Sequence, residues 1–347
     1  MRFLKHLLSP IQIIYSLIII IRNKLYDFKI LSSYSAEPIT ISVGNIKNGG
    51  TGKTPMVEYL IRLLQHKKIS ILSRGYKRET KNFILANDMH TAKDIGDENY
   101  QLYNKFPNII IAADNNRVRG IKKITQNNPL DIVILDDGFQ HRSLHRDVDI
   151  LLTEYNDLFI DDALMPIGNL REHKKEMKRA SIIIVTKCPE NISKEERYAI
   201  INKLKPFKHQ QIYFSYIKEY TYIDMSLSKQ IDLNQDEKHI LMTGIANAKP
   251  LVDFLNDNNI SHHHICFSDH YNFQENDIKQ IINLTKDHHL SKNLLLTEKD
   301  YYRLSLVDKK RLEEQFTLVC IEIKIDFMEV DKPHFNNQLL KFEKHKT

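Results

Sequence analysis

The chain reads as an α/β protein whose main sheet is largely parallel and flanked by helices, with a second, smaller α/β unit and an N-terminal membrane-associated helix. Three observations carry this. From residue 39 onward, short β-branched runs alternate with stretches of helical spacing, which implies parallel strands joined by helical crossovers. The alternation breaks near Ser215 and then resumes on a smaller scale. Ahead of both lies an apolar segment flanked by basic residues. At 347 residues, a chain of two domains is expected, giving boundaries at 1–30, 31–215 and 216–347.

Taken in order, the first element is the run Leu7–Ile21, with Ser9-Pro10 as a reasonable helix start. As a helix this run is about 22 Å long, short of the roughly 30 Å core of a bilayer. Gln12, Ser16 and Asn23 fall within a narrow arc of the helical wheel, leaving one weakly polar side. A helix lying in one leaflet therefore fits better than a spanning one. No small-residue cleavage site follows, which argues against a secretory leader; a buried core helix is the other alternative.

The strands expected in the larger unit are Ile39–Val43, Ile69–Ser73, Ile109–Ala113, Ile132–Leu135, Val148–Leu152 and Ile182–Val185, with helices at Met56–His66 and Val118–Gln126. Ser215 to Asp236 is polar and strand-poor and holds the boundary. The smaller unit has strands expected at Ile212–Tyr216, Ile240–Thr243, His263–Phe267, Leu294–Thr297 and Leu318–Ile323. Its helices are expected at Lys249–Asn256, Glu275–Asp287 and Asp300–Leu306.

Composition narrows the function classes. Hydrophobic residues at 42% and charged residues at 27% are ordinary for a globular protein. A formal charge of +6 suits an anionic partner without selecting one. The three cysteines are far apart, too few for a disulfide framework and without C-x-x-C spacing, so a reducing compartment is the default. The basic residues are interleaved with acids and no aromatic recognition motif accompanies them, which disfavours a nucleic-acid partner.

The strongest signal follows the first strand: Asn48-Gly49-Gly50-Thr51-Gly52-Lys53-Thr54, running into a helix. A strand, a glycine-rich turn and a helix start surround an anion with backbone N–H groups. These seven residues are the expected ATP-binding loop, of P-loop NTPase type. Lys53 would act on the β- and γ-phosphates, and the Thr54 hydroxyl on Mg²⁺. The usual pattern has glycine at the position of Lys47, and Gly49 and Gly50 compensate.

Other segments follow strand ends, where open α/β sheets bind ligands. Asp136-Asp137-Gly138-Phe139-Gln140-His141 places two carboxylates beside the loop, a costly pair unless a cation relieves it; a plain turn is the alternative. Arg74 in Ser73-Arg74-Gly75-Tyr76, with Arg117, Arg119, Arg142, Arg146 and Arg171, suits a phosphorylated substrate if the arginines converge. Asp97 in Gly96-Asp97-Glu98 and His270 in Ser268-Asp269-His270-Tyr271 could form a base dyad, although spacing alone leaves open whether they meet. His262-His263-His264 follows strand alternation and reads as structural. Pro189 stands where guanine-reading loops carry aspartate, which argues against GTP.

Together these segments resemble the tetraacyldisaccharide 4'-kinases. The likeness also takes in Leu164-Met165-Pro166-Ile167-Gly168-Asn169-Leu170-Arg171-Glu172, Thr243-Gly244-Ile245-Ala246 and Leu296-Thr297-Glu298-Lys299-Asp300. The resemblance implies an ATP- and Mg²⁺-dependent lipid kinase acting on the 4'-hydroxyl of the lipid A disaccharide 1-phosphate. The site would lie between a P-loop domain and a smaller domain. It implies Asp97 as base with help from His270, Lys53 as a catalytic cation, and Thr54, Asp136, Asp137 and Glu98 toward the metal. Arg74, Gln140, His141 and Arg171 are expected on the substrate. It also implies a monotopic place on the cytoplasmic face of the bacterial inner membrane, with the lipid surface as partner and no obligate protein partner. Where the family commonly has proline after Gly-Asp-Glu, this chain has Asn99. A membrane-associated regulatory or chaperone-type P-loop ATPase is the alternative function.

Overall fold

Strands rich in Ile, Val and Leu are those the fold covers on both faces, and β1 (Ile39–Gly44), β2 (Ile69–Ser73), β5 (Ile132–Asp136) and β7 (Ile182–Thr186) are buried throughout. A computed structural model describes residues 2–284 and 289–342, with side chains from residue 10 onward. The chain forms two compact units, Met1–Lys218 with Ile325–Thr347, and Glu219–Lys324.

The larger unit adds β3 (Ile84–Leu85), β4 (Ile110–Ala113), β6 (Val148–Glu154) and the part of β8 (Gln211–Asp224) up to Lys218. The order is β8-β7-β6-β1-β5-β2-β4-β3. Pairs are parallel except β3 on β4. Its helices are α1 (Arg2–Asp27), α2 (Lys53–Leu63), α3 (Ala92–Ile95), α4 (Asp97–Lys105), α5 (Arg117–Asn127) and α6 (Lys194–Leu204). Successive residues of a strand point to opposite faces. Accordingly, Ile132 and Ile134 join a core with Met56 and Leu60 of α2, while Val133 and Leu135 pack with Ile121 and Ile124 of α5. β1 sits centrally, with Val43 opposite Asp136, so the phosphate loop and the acidic turn leave the sheet side by side.

In the smaller unit, β10 (Lys238–Thr243), β11 (His262–Cys266), β12 (Leu290–Thr297) and β13 (Thr317–Phe327) form the parallel order β11-β10-β12-β13. β9 (Lys229–Ile231) pairs antiparallel with the end of β8. Helices α7 (Lys249–Asp257), α8 (Glu275–Asn283), α9 (Glu298–Arg303) and α10 (Leu306–Glu313) accompany them. Ile240 and Met242 face one apolar cluster and Leu241 another.

Three boundaries differ from those expected. α1 begins at Arg2, so Pro10 lies inside it instead of opening it. The stretch taken as strand-poor carries β8 on to Asp224 and then β9; Lys218 and Glu219 interrupt the apolar pattern, but Tyr220 and Tyr222 beyond them pack on the smaller unit's core. The final segment, placed with the smaller unit by sequence, returns to the larger one. There α11 (Lys332–Phe342) sets Phe335 and Leu339 beside Tyr59 and Tyr213. The last residues of the helix expected at Glu275–Asp287 lie outside the described residues.

Candidate active site

The loop between β1 and α2 is shaped by two glycines. Gly49 and Gly52 take φ of +124° and +85°, where a side chain is strained. Lys47 needs no such freedom: its main chain bridges to Leu170, and its ammonium pairs with Asp157 and with Asp162 at 2.9 Å. Thr51 is held from two sides, its hydroxyl accepting from Asn45 Nδ2 at 2.7 Å and its carbonyl from Thr186 Oγ1 at 3.0 Å. No side chain caps α2, so its first-turn N–H groups are available to an anion.

The acidic turn crosses back close over β1. A Cβ on Gly138 would lie 2.7 Å from Leu135 Cβ and 2.8 Å from Ser42 Oγ, which leaves glycine as the residue that fits. Asp136 is buried at the end of β5. Asp137 takes φ of +53° and brings a carboxylate oxygen to 3.9 Å from Lys53 Nζ. Arg171 forks onto that carboxylate with two bonds of 2.8 Å. Burial alone would raise the Asp137 pKa, but the Arg171 hydrogen bonds and the Lys53, Arg171 and Arg117 charges hold it well below the carboxylate range. Arg171 Nη2 also bonds the Asn45 carbonyl at 2.8 Å and the Asn45 side chain. Gln140 Nε2 donates to the same carbonyl at 2.8 Å. Arg171 and Gln140, expected on substrate, are thus engaged with the loop and its acidic neighbour.

The Gly-Asp-Glu turn meets the loop directly, with Thr54 Oγ1 donating to Glu98 Oε1 at 3.3 Å. Asp97 opens α4 and is buried. The preceding Gly96 has φ of +90°, and a Cβ there would come within 2.9 Å of Gly75. Two turns, one carrying Asp97 and one carrying Arg74, are therefore packed glycine against glycine. Asn99 donates from Nδ2 to the Ile95 carbonyl at 3.0 Å, so a side-chain bond ties the turn.

Arg117 is fully buried beneath this edge, donating to the carbonyls of Asp114 and Asp136. Burial pushes its pKa down to about 10 despite the acidic pair. Burial, then the Arg117 charge, pushes His141 down to about 3, so its imidazole is neutral near neutrality. Arg74 is exposed at the end of β2. The other arginines do not converge: Arg119 forks onto Asp114, Arg146 onto Asp149, and Arg142 pairs with Asp27.

Helix α1 is docked on these segments by its polar side. Gln12 donates to the Leu164 carbonyl at 3.0 Å, Tyr15 to the Arg171 carbonyl at 2.9 Å and Arg22 to the Gln140 carbonyl at 3.0 Å; Ser16 meets His173 at 2.7 Å. Its other side leaves Ile11, Ile14, Leu17, Ile18 and Ile21 more than half exposed. Among the described residues, no helix is long and apolar enough to cross a membrane.

The smaller unit has its own organised turn. His270, with φ of +53°, donates its N–H to the Gly244 carbonyl at 3.1 Å. Arg303 donates to the same carbonyl at 3.1 Å, and the Gly244 N–H goes to Asp300 at 3.0 Å. Asp300 is fully buried and also accepts from Thr297 and Arg303. The Thr-Glu-Lys-Asp segment thus holds the turn that carries His270.

Within the larger unit the structure gathers Lys53, Thr54, Glu98, Asp136 and Asp137 around one loop, with Asp97 beside Glu98. Sequence reasoning assigns no role to Asn45 and Thr186, which brace the loop, and places Asp300, which braces the His270 turn, only within a segment of the family likeness. Thr186 and Asp300 act through contacts far along the chain, whereas Asn45 reaches Thr51 within the same loop. His264 bonds Thr243 and His262 bonds the Ile260 carbonyl, as befits a structural strand.

The family model for tetraacyldisaccharide-1-P 4'-kinase matches residues 4–344. A tetraacyldisaccharide 4'-kinase of Flavobacterium johnsoniae is 41% identical over 92% of this chain and 92% of its own length. One from Bacteroides thetaiotaomicron is 36% identical over 98% and 93%. Among solved structures, the crystal structure of LpxK from Aquifex aeolicus in complex with ATP aligns with a TM-score of 0.76 at 27% identity. That alignment covers 96% of this chain and 98% of the other.

Proposed function

This chain belongs to the tetraacyldisaccharide-1-P 4'-kinase family, and from that premise we propose how its own residues carry the reaction. It is an ATP-dependent kinase of lipid A biosynthesis with a P-loop fold. The regulatory-ATPase alternative is not favoured, since the family match runs through both units.

The loop and the first turn of α2 hold the ATP phosphates, and Lys53 stabilises charge on the transferring γ-phosphoryl group. Thr54, Asp136, Asp137 and Glu98 fit Mg²⁺ by their chemistry: a hydroxyl and carboxylates, with Asp137 held ionised by its cationic neighbours. Among the described residues, no group of three His, Cys, Asp or Glu forms a metal cage. Mg²⁺ does not need one, because phosphates and waters complete its shell. When bound, it would neutralise charge on the phosphate oxygens.

Asp97 accepts the proton of the sugar 4'-hydroxyl, and His270 serves the same proton transfer. The exposed Arg74 and the neutral His141 bind the disaccharide. Arg171 and Gln140 serve the substrate indirectly, by fixing Asn45 and Asp137.

The exposed aliphatic side of α1 lies in the cytoplasmic leaflet of the inner membrane, where the acyl chains of the lipid A disaccharide 1-phosphate stay. A helix that turns its polar side to the protein and its apolar side outward fits a lipid environment. The enzyme needs no protein partner for this.

The observation that carries the reading is the convergence of Thr54 on Glu98 and of Lys53 on Asp137. The test is transfer of label from γ-labelled ATP to lipid A disaccharide 1-phosphate in detergent micelles. Label should reach lipid with the wild type and be lost with Asp97→Ala and Lys53→Ala. Label released only as free phosphate, at a rate indifferent to lipid, would overturn it.

A further inference from the structure

Arg171 is fixed at every end. Its N–H donates to the Ile46 carbonyl at 2.7 Å, its carbonyl accepts from Tyr15 at 2.9 Å, and its guanidinium grips Asp137 and Asn45. A forked guanidinium–carboxylate pair depends on alignment, so main-chain placement of the arginine decides how Asp137 is presented. Two of those anchors belong to the nucleotide loop and its acidic neighbour. The third comes from the membrane-facing helix. Burial and the nearby Glu172 charge raise the pKa of Tyr15, which keeps its hydroxyl protonated and a donor.

We propose that Tyr15 is a positioning residue for phosphoryl transfer, acting through Arg171 on Asp137. Helix α1 is then part of the catalytic frame as well as the membrane contact. The inference rests on the kinase reading above.

The test compares wild type, Tyr15→Phe, Ser16→Ala, Arg171→Lys and the Tyr15→Phe/Arg171→Lys double variant as full-length protein. Tyr15→Phe removes one oxygen and keeps the ring, so melting temperature and co-sedimentation with vesicles should match wild type. Loss of one hydrogen bond in the frame should lower kcat about fivefold, with a smaller change in the KM for lipid. It should weaken Mn²⁺ binding several-fold, read by electron paramagnetic resonance in the presence of a non-hydrolysable ATP analogue. Ser16→Ala removes a neighbouring bond that does not reach Asp137 and should leave Mn²⁺ affinity alone. In the double variant the two losses should be less than multiplicative, as for residues acting through one contact.

Unchanged kcat and Mn²⁺ affinity in Tyr15→Phe would overturn the proposal. So would a loss shared equally by Ser16→Ala, or losses that multiply in the double variant. A wild type that labels no lipid would instead sink the kinase reading itself.

Discussion

The outward side of α1 can be tested by changing it without touching what docks the helix. Ile14 and Ile18 are each 60% exposed and stand one turn apart on the side opposite Gln12 and Ser16. Full burial of such a side chain contributes roughly 1.5–3 kcal/mol, so the portion left for lipid to cover amounts to about 1–2 kcal/mol at each position. Replacing both with glutamine, which keeps helix propensity, should weaken partition onto vesicles by about 30- to 700-fold. The assay is co-sedimentation with anionic phospholipid vesicles, paired with phosphorylation of acceptor embedded in vesicles and acceptor dispersed in detergent. Turnover should fall on vesicles and persist in detergent, with ATP affinity unchanged. Undiminished partition of Ile14→Gln/Ile18→Gln would refute the argument from exposed apolar surface.

Three further outcomes follow from the site. Gly96→Ala puts a methyl group 2.9 Å from Gly75 at a φ of +90°, a cost of about 1–3 kcal/mol relieved by moving the Asp97 turn; kcat should drop at least about tenfold while ATP binding, measured by calorimetry, holds. His141, pushed down to about 3 in the folded chain against about 6.5 when unfolded, makes the unfolded state the one that binds the extra proton as pH falls. Its share of stability is complete above about pH 6.5 and is lost progressively below it, roughly 1 kcal/mol between pH 7.5 and 5.5. Urea titrations of wild type and His141→Gln at both pH values should differ by that amount. Asp300→Ala leaves the buried Arg303 guanidinium without its carboxylate and should destabilise the smaller unit by about 3 kcal/mol; faster hydrogen exchange at Gly244 and His270 would register it.

Much of the larger unit was legible because its strands are covered on both faces, so each reads as a short run rich in Ile, Val and Leu. β8 was cut short by the same logic: Lys218 and Glu219 break the run, yet the tyrosines beyond them are amphipathic enough to pack, Tyr220 stacking on Phe254 at 3.7 Å. The nucleotide loop and the acidic turn were legible because each is contiguous in sequence. Which arginine meets which carboxylate was not, since charge type says nothing of partner. Arg119 and Arg146 go to Asp114 and Asp149 near them, and Arg171 to Asp137 on another turn. The departure at Lys47 shows how a pattern can relax: glycine is needed only where φ demands it, and the strain falls on Gly49 and Gly52.

The path of the chain has a consequence for how the protein is made. The larger unit is interrupted at Lys218 and resumes at Ile325, and its core requires Phe327, Phe335 and Leu339 against Tyr59 and Tyr213. Those side chains emerge from the ribosome only after the whole smaller unit. Until then the nascent α2 face and the β8 edge lack their aromatic cover, although the nucleotide loop has long been synthesised. The smaller unit, an unbroken stretch of chain, is free to fold as one piece in the meantime. Synthesis order therefore completes the nucleotide-binding unit only after the smaller unit that interrupts it.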